Sequence, residues 1–136
     1  EGLTKTSSTK DGKEFIMRFF HEGEMFTVLD SYLSDKPSNL IVTALEHTTV
    51  TYINRQDMEA LCNIHHPIEH FFRKLLSHAT LNMMKRINEM LEDDATQRYD
   101  NFVREHAHLM QRVSLGDLAS YLGITQVSLS RIRARH

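Results

Sequence analysis

Hydrophobic and polar positions change their periodicity along the chain. Before residue 54, short β-prone stretches alternate with turn residues; after it, apolar residues recur at steps of three and four. An Asp-Gly pair within Lys10–Lys13 predicts a tight hairpin turn. The segment Phe26–Asn39, which contains Pro37, is predicted to be irregular. The predicted strands are Thr4–Thr9, Glu14–Phe20, Leu40–Ala44 and Thr48–Ile53.

The second half of the pattern predicts helices. Asn54 is a suitable N-cap for a short helix to about Cys62, and Pro67 suits the first turn of a longer helix ending near Asp93. A helix of about 27 residues is ~40 Å long, more than a small β domain can cover. A second copy of the same helix is therefore the simplest partner, and an intramolecular core helix is the alternative. The apolar stripe comprises Ile68, Phe72, Leu75, Ala79, Met83, Ile87 and Met90, widened by Phe71, Leu76, Met84 and Leu91.

A break at Asp93–Thr96 precedes the remaining helices. The first of these is predicted over Thr96–Glu105, with Tyr99, Phe102 and Val103 buried. The fold class is accordingly predicted to be α+β, with a β-sandwich or β-roll, a long dimerisation helix and a carboxy-terminal helix-turn-helix. The predicted parts are a β domain at 1–54, the short and long helices at 55–94, and a helical domain at 95–136.

The last two dozen residues predict the helix-turn-helix. Ser114 is an N-cap candidate that Asp117 answers three residues later, Gly123 suits a left-handed turn, and Thr125 caps the next helix. An ordinary helical hairpin with a solvated arginine face is the alternative. The apolar positions that would hold the two helices together are Leu115, Leu118, Ala119, Leu122, Leu129 and Ile132.

Composition and charge narrow the range of functions that the sequence allows. The 136 residues carry a net charge of −2, but no acidic residue follows Asp117. A local basic patch on a near-neutral protein favours site-directed DNA contact over non-specific coating. A lone cysteine, Cys62, excludes an internal disulfide, and the chain shows neither a signal peptide nor a membrane-length apolar run, so we expect a cytoplasmic protein. The clustered basic residues are Arg112, Arg131, Arg133 and Arg135.

Other chemistries have weaker support. His65, His66 and His70 lie close together, but neither a third-ligand pattern nor a cysteine pair completes a zinc site, so surface or interface histidines are favoured. No nucleophile–base pair, phosphate-binding glycine loop or paired carboxylates appear. We therefore predict a protein that is not an enzyme and holds neither a metal nor a cofactor.

Together these features resemble the Crp/Fnr family of transcription regulators, along essentially the whole chain. Asp11–Ile16 is similar to the family's mid-roll hairpin, and Phe20–Phe26 to the stretch before its ligand cassette. Leu118–Thr125 with Leu129–Arg133 is most similar to the Bacteroidetes-type branch. The resemblance implies that 1–54 is a partial β-roll sensor domain and that 95–136 is a helix-turn-helix DNA-binding domain. It also implies further roll sequence upstream and a β wing downstream, so that the chain is truncated at both ends.

The ligand cassette departs from the family's cyclic-nucleotide binders, which use a Gly-Glu pair for the ribose and an Arg-Ser pair for the cyclic phosphate. Ungapped matching puts Thr27 and Val28 at the first pair and Ser38 and Asn39 at the second. Valine cannot accept a hydrogen bond, and serine cannot neutralise a phosphate. Losing two charge-assisted contacts of about 1.5–3 kcal/mol each weakens cyclic AMP binding on the order of 100-fold or more. The resemblance implies a degenerate pocket for another small-molecule effector, or for none.

The resemblance also assigns the DNA readout. Arg131 is retained from the family's pattern and would read guanine, Gln126 would pair with adenine, and Val127 would touch only a thymine methyl. Thr125, Ser128 and Arg133 are phosphate-contact candidates. The expected function is a homodimeric regulator on an approximately palindromic operator, with RNA polymerase as a candidate partner and no membrane partner. The alternative is a ligand-sensing or scaffold module with a vestigial helix-turn-helix.

Overall fold

The computed structural model describes residues 1–135; His136, the last residue of the predicted DNA-binding domain, lies outside them. The mixture of helices with a small antiparallel sheet confirms the predicted α+β class. In chain order, the elements are β1 (Thr4–Lys10), β2 (Lys13–Phe20), α1 (Leu29–Ser34), β3 (Ile41–Ala44), α2 (Arg55–Ile64), α3 (His66–Glu92), α4 (Ala95–Glu105), a 3-10 turn (Ala107–Leu109), α5 (Leu115–Leu122) and α6 (Gln126–Arg133).

The sheet is built around β1, which pairs antiparallel with β2 on one side and β3 on the other. The β1–β2 turn forms at the predicted Asp-Gly pair, where Asp11 and Gly12 have φ angles of 51° and 74°. Asparagine, aspartate and glycine are the residues that tolerate this left-handed backbone. A bulge after Thr6 shifts the register of β1 against β2.

Two predictions in the first 53 residues are wrong. Thr48–Ile53 forms no strand, although the Thr49 N–H donates to the Glu1 carbonyl at 2.9 Å and the Glu1 amino group donates to the Thr49 carbonyl at 3.2 Å. The supposedly irregular segment contains α1, which ends at Asp35 in a left-handed conformation with φ 58°. Tyr32 of α1 packs against Phe72 of α3 at 5.4 Å between ring centroids, a tertiary contact that a local pattern does not reveal.

The helices begin close to the predicted positions because their caps are local. The Asp57 N–H donates to the Asn54 side chain at 2.9 Å, and α3 has Pro67 in its first turn and spans 27 residues. Asp94 caps α4 in a capping box with Gln97, so α4 starts at Ala95 and not at Thr96.

One apolar core joins the sheet to the carboxy-terminal helices. Phe19 of β2, Phe102 of α4 and Tyr121 of α5 form an aromatic triangle with ring centroids 5.1–6.1 Å apart. Tyr99 and Phe102 are buried as predicted, whereas Val103 is only half-buried at the edge of this core. The sheet and the helix-turn-helix are therefore in direct contact. Buried around the triangle are Leu3, Ile16, Leu109, Leu118, Ala119, Leu122, Leu129 and Ile132.

Candidate DNA-reading face and ligand cavity

The helix-turn-helix consists of α5, a three-residue turn and α6. The Asp117 N–H donates to the Ser114 hydroxyl at 3.0 Å, and the Ser128 N–H donates to the Thr125 hydroxyl at 3.1 Å, so both predicted N-caps form. Gly123 ends α5 at φ 69°, the left-handed position expected of a C-cap glycine. The Asp117 carboxylate does not return to the backbone of Ser114 but accepts from its hydroxyl at 2.7 Å.

The inner and outer faces of α6 separate apolar from polar side chains. Leu129 and Ile132 are buried against α5, where Leu118, Ala119 and Leu122 are buried in turn. The six predicted DNA-contact residues lie on the other faces: Thr125, Gln126, Val127, Arg131 and Arg133 are exposed, and Ser128 is half-buried. Within residues 1–135, no acidic side chain forms a salt bridge with Arg131 or Arg133. Both guanidinium groups face solvent; their contact with DNA stays a prediction.

Arg112 does not belong to this basic face, which corrects the cluster drawn from the sequence. Its guanidinium donates to the Glu22 carboxylate at 2.7 and 3.0 Å and also to the Glu46 carboxylate. Glu22 follows β2 and Glu46 follows β3, so the arginine ties the roll to the segment before α5. Hydrogen bonds from Arg112 lower the pKa of Glu22 from 4.5 to about 2.

This ion cluster predicts a pH dependence. Because the folded-state pKa of Glu22 is depressed, its contribution to stability is complete above about pH 4.5 and is lost as the pH falls towards 2. In Arg112→Leu, we expect the Glu22 pKa to return towards 4.5 and the loss of stability over this pH range to become shallower. Carboxyl ¹³C NMR titration and urea unfolding at several pH values measure both effects. A Glu22 pKa that stays near 2 in the variant would contradict the assignment.

Further ion pairs join β1 and α3 to the carboxy-terminal helices. Lys5 of β1 donates to Asp117 of α5 at 2.6 Å and to Glu14 of β2 at 2.9 Å. Lys85 of α3 donates to Glu105 of α4 at 2.6 Å. Polar contacts thus fasten α5 to the hairpin and α4 to α3, in addition to the aromatic core.

A cavity of about 510 Å³ lies between β2, the segment around α1, α3 and the carboxy-terminal helices. Three of the four predicted pocket residues, Thr27, Val28 and Asn39, line it. Ser38 is not among the lining residues, since its hydroxyl donates to Asp30 at 2.7 Å and accepts from the Leu40 N–H at 2.9 Å. Ser38, at the position matched to the family's phosphate-binding arginine, is therefore engaged in hydrogen bonds within its own segment.

Arg86 is a cavity residue that the sequence pattern did not reveal. It lies on α3 with only 8% of its surface exposed, and its guanidinium stacks 3.9 Å from the Tyr121 ring centroid. It donates to the backbone carbonyl of Tyr121, and burial lowers its pKa. An arginine between apolar positions of a helix is normally predicted to be solvated, so only the packing of α5 over α3 reveals its burial.

The other residues singled out from the sequence are three histidines and one cysteine. His65, His66 and His70 are exposed, and residues 1–135 contain no group of three histidine, cysteine or acidic side chains placed to hold a metal. Burial raises the pKa of the half-buried Cys62 thiol. In the same part of the chain, no helix combines the length and apolar character required to cross a bilayer.

Comparisons with known proteins show which protein family and which solved structures the chain is similar to. Residues 1–65 match the cyclic nucleotide-binding domain family. No curated protein matches the chain. Its fold is similar to that of FixK2 from Bradyrhizobium japonicum, with a TM-score of 0.84 and 20% identity over 98% of this chain and 70% of that one.

Two further solved structures share the fold. A protein from Eubacterium rectale assigned to the crp/fnr family of transcriptional regulators has a TM-score of 0.76 and 14% identity over 97% of this chain and 64% of that one. The c-di-GMP-responsive global regulator CLP from Xanthomonas campestris has a TM-score of 0.68 and 14% identity over 99% of this chain and 73% of that one. The chain thus spans about two thirds of the length of these proteins. The predicted resemblance to the Crp/Fnr regulators is confirmed in the fold and in the match of residues 1–65 to the cyclic nucleotide-binding domain family, whereas the Bacteroidetes-type branch and the truncation stay predictions.

Proposed function

We propose that this protein is a cytoplasmic, homodimeric, sequence-specific DNA-binding transcription regulator that does not respond to cyclic AMP. The observation that carries the proposal is the two-sided character of α6. Leu129 and Ile132 hold the helix in the core, while Gln126 and Arg131 project from it into solvent without a competing acidic partner among residues 1–135. A helix presented in this way fits the major groove of B-form DNA.

We assign the contacts to DNA bases to three side chains of α6. Arg131 is placed to read guanine and Gln126 adenine, while Val127, 61% exposed, offers only apolar contact to a thymine methyl. Ser128 and Thr125 already share a 3.0 Å hydroxyl contact in the cap, which leaves them suited to phosphate rather than base contact. Arg133 supplies a further phosphate contact.

Homodimer formation is supported by the surface of α3. Its carboxy-terminal half leaves a continuous apolar strip exposed, and such strips on soluble proteins mark interaction sites. Pairing of two α3 helices about a two-fold axis would place the two α6 helices in successive major grooves about 34 Å apart. The exposed strip consists of Leu81, Met84, Ile87 and Leu91, flanked by Met83.

Selection of bound sequences from random duplex DNA tests the proposal. We expect recovery of an approximately palindromic site, and affinity for it should fall steeply with salt because phosphate contacts release counterions. A protein that makes about 6–10 phosphate contacts loses about 10³–10⁵-fold in affinity between 50 and 200 mM salt. Failure to enrich any sequence, with no salt dependence, would favour the ligand-sensing or scaffold alternative.

A separate prediction concerns cyclic AMP. We expect the chain to bind it on the order of 100-fold or more weakly than a relative that has the glutamate and arginine, because two charge-assisted contacts are missing. Isothermal titration measures this directly. Restoring both groups in Val28→Glu/Ser38→Arg should raise the affinity, with Val28→Gln/Ser38→Gln as the uncharged control. Tight binding by the unaltered chain would contradict the prediction.

A further inference from the structure

The cavity extends beyond the cassette positions. Thr27, Val28 and Asn39 form one side, but the opposite side is built by α3 and by the carboxy-terminal residues His106, Leu109 and Tyr121. Its volume of about 510 Å³ is in the range of small-molecule sites, about 300–1,000 Å³. Most of the lining is apolar, contributed by Met17, Phe19, Phe20, Met25, Phe26, Val28, Leu29, Leu40, Ala79, Met83 and Leu109.

The charged groups around this cavity are mostly engaged with one another. Arg18 donates to Glu24 at 3.1 Å, Lys85 to Glu105 at 2.6 Å, and Asp30 accepts from Ser38 at 2.7 Å. Burial lowers the pKa of His106 and so disfavours its cationic form. The other two lining charges are Arg86 and Glu89, and Glu89 lies 3.8 Å from both Lys85 Nζ and Arg86 Nη1.

The Arg86 side chain is nine-tenths buried, but its guanidinium has few hydrogen-bond partners. Of its five N–H donors, one finds the Tyr121 carbonyl, and Nε has no partner among residues 1–135. The nearest Glu89 oxygen lies 3.8 Å from Nη1, too far for a hydrogen bond. Buried donors are nearly always paired, and Glu89 supplies Arg86 with a nearby charge but not with a carboxylate in hydrogen-bond contact.

We propose that the cavity binds a small organic acid with an apolar body, whose carboxylate is held by Arg86 and whose body lies among the methionine and phenylalanine side chains. This site uses a residue of α3 and not the Val28 and Ser38 positions of the cassette. A carboxylate fits better than a phosphate ester because one cation is available and Glu89 stands beside it.

Occupancy would be transmitted to the reading helices through Tyr121. The Arg86 guanidinium holds the carbonyl of this α5 residue and stacks on its ring, so a ligand that recruits the guanidinium changes how α5 is held. This regulatory consequence rests on the proposed DNA-binding function, whereas binding of the acid does not.

The test uses decanoate as the probe, with decanol and decyltrimethylammonium as its neutral and cationic counterparts. Methionine-methyl NMR locates each probe, because Met17, Met25 and Met83 line the cavity. We expect these three signals to move, and decanoate to bind at least about tenfold tighter than decanol. The Arg86 side-chain Nε–H signal should move with decanoate alone. The methionines expected to stay unchanged are Met58, Met84, Met90 and Met110.

Two variants separate charge from packing. Arg86→Gln should lower decanoate affinity at least about tenfold and leave decanol binding unchanged, while the matched control Arg73→Gln, an exposed arginine of the same helix outside the cavity lining, should leave both unchanged. Equal binding of decanoate and decanol, no movement of the cavity methionines, or a static Arg86 signal would overturn the proposal. Since no DNA is present, these outcomes are independent of the operator-selection result.

Discussion

Arg131→Ala is expected to remove most of the preference of the dimer for its operator while leaving the dimer and its non-specific DNA affinity intact. A paired arginine–guanine contact is worth about 1–3 kcal/mol of discrimination, and a symmetric dimer uses it twice. The combined loss of about 2–6 kcal/mol corresponds to a fall in specific affinity of about thirtyfold to ten-thousandfold. Fluorescence anisotropy with the selected operator and a scrambled duplex measures the ratio.

The matched control for this experiment is Arg133→Ala on the same helix. Both side chains are exposed and lack salt bridges within residues 1–135, so neither truncation disturbs the core. As a phosphate contact, Arg133 should weaken binding to both duplexes about equally and reduce the salt slope by about one. If Arg131→Ala keeps the wild-type ratio of operator to scrambled affinity, Arg131 does not read bases.

The parts of the structure that the sequence predicted well depend on near neighbours in the chain. The caps at Ser114 and Thr125 and the turn at Gly123 each involve residues no more than about four positions apart, so their chemistry is visible in the sequence. The separation of Leu129 and Ile132 from the polar face of α6 follows from helical periodicity in the same way.

The predictions from the sequence are wrong where contacts between residues far apart in the chain determine the structure. Thr48–Ile53 has a strand-like composition, but its backbone pairs with no strand, so its β-branched residues gain nothing from a ladder. Arg112 reads as part of a basic patch, yet its acidic partners lie 66 and 90 residues away. The pattern of α3 predicts that the Arg86 side chain is solvated. Its burial depends on Tyr121 of α5, which lies against the guanidinium. No local signal distinguishes these arginines from Arg131.

A charge placed in the exposed strip of α3 is expected to abolish the dimer. Ile87 is 50% exposed in the single chain, so Ile87→Glu should leave its fold intact. In a two-fold interface the substitution occurs twice, and each uncompensated buried charge costs about 3–5 kcal/mol. The dimer dissociation constant should therefore rise by about ten-thousandfold or more. Sedimentation equilibrium measures the change.

Gln56→Glu is the matched control, because it adds a charge at an exposed helical position of α2, outside α3 and its apolar strip. The control should remain dimeric and bind the operator normally, whereas Ile87→Glu should lose most of its operator affinity although every reading residue on α6 is unchanged. The reason is that a monomer holds a single half-site and forfeits the second set of base and phosphate contacts. A monomeric Ile87→Glu variant with full operator affinity would show that one reading helix suffices, and the symmetric arrangement would then have to be abandoned.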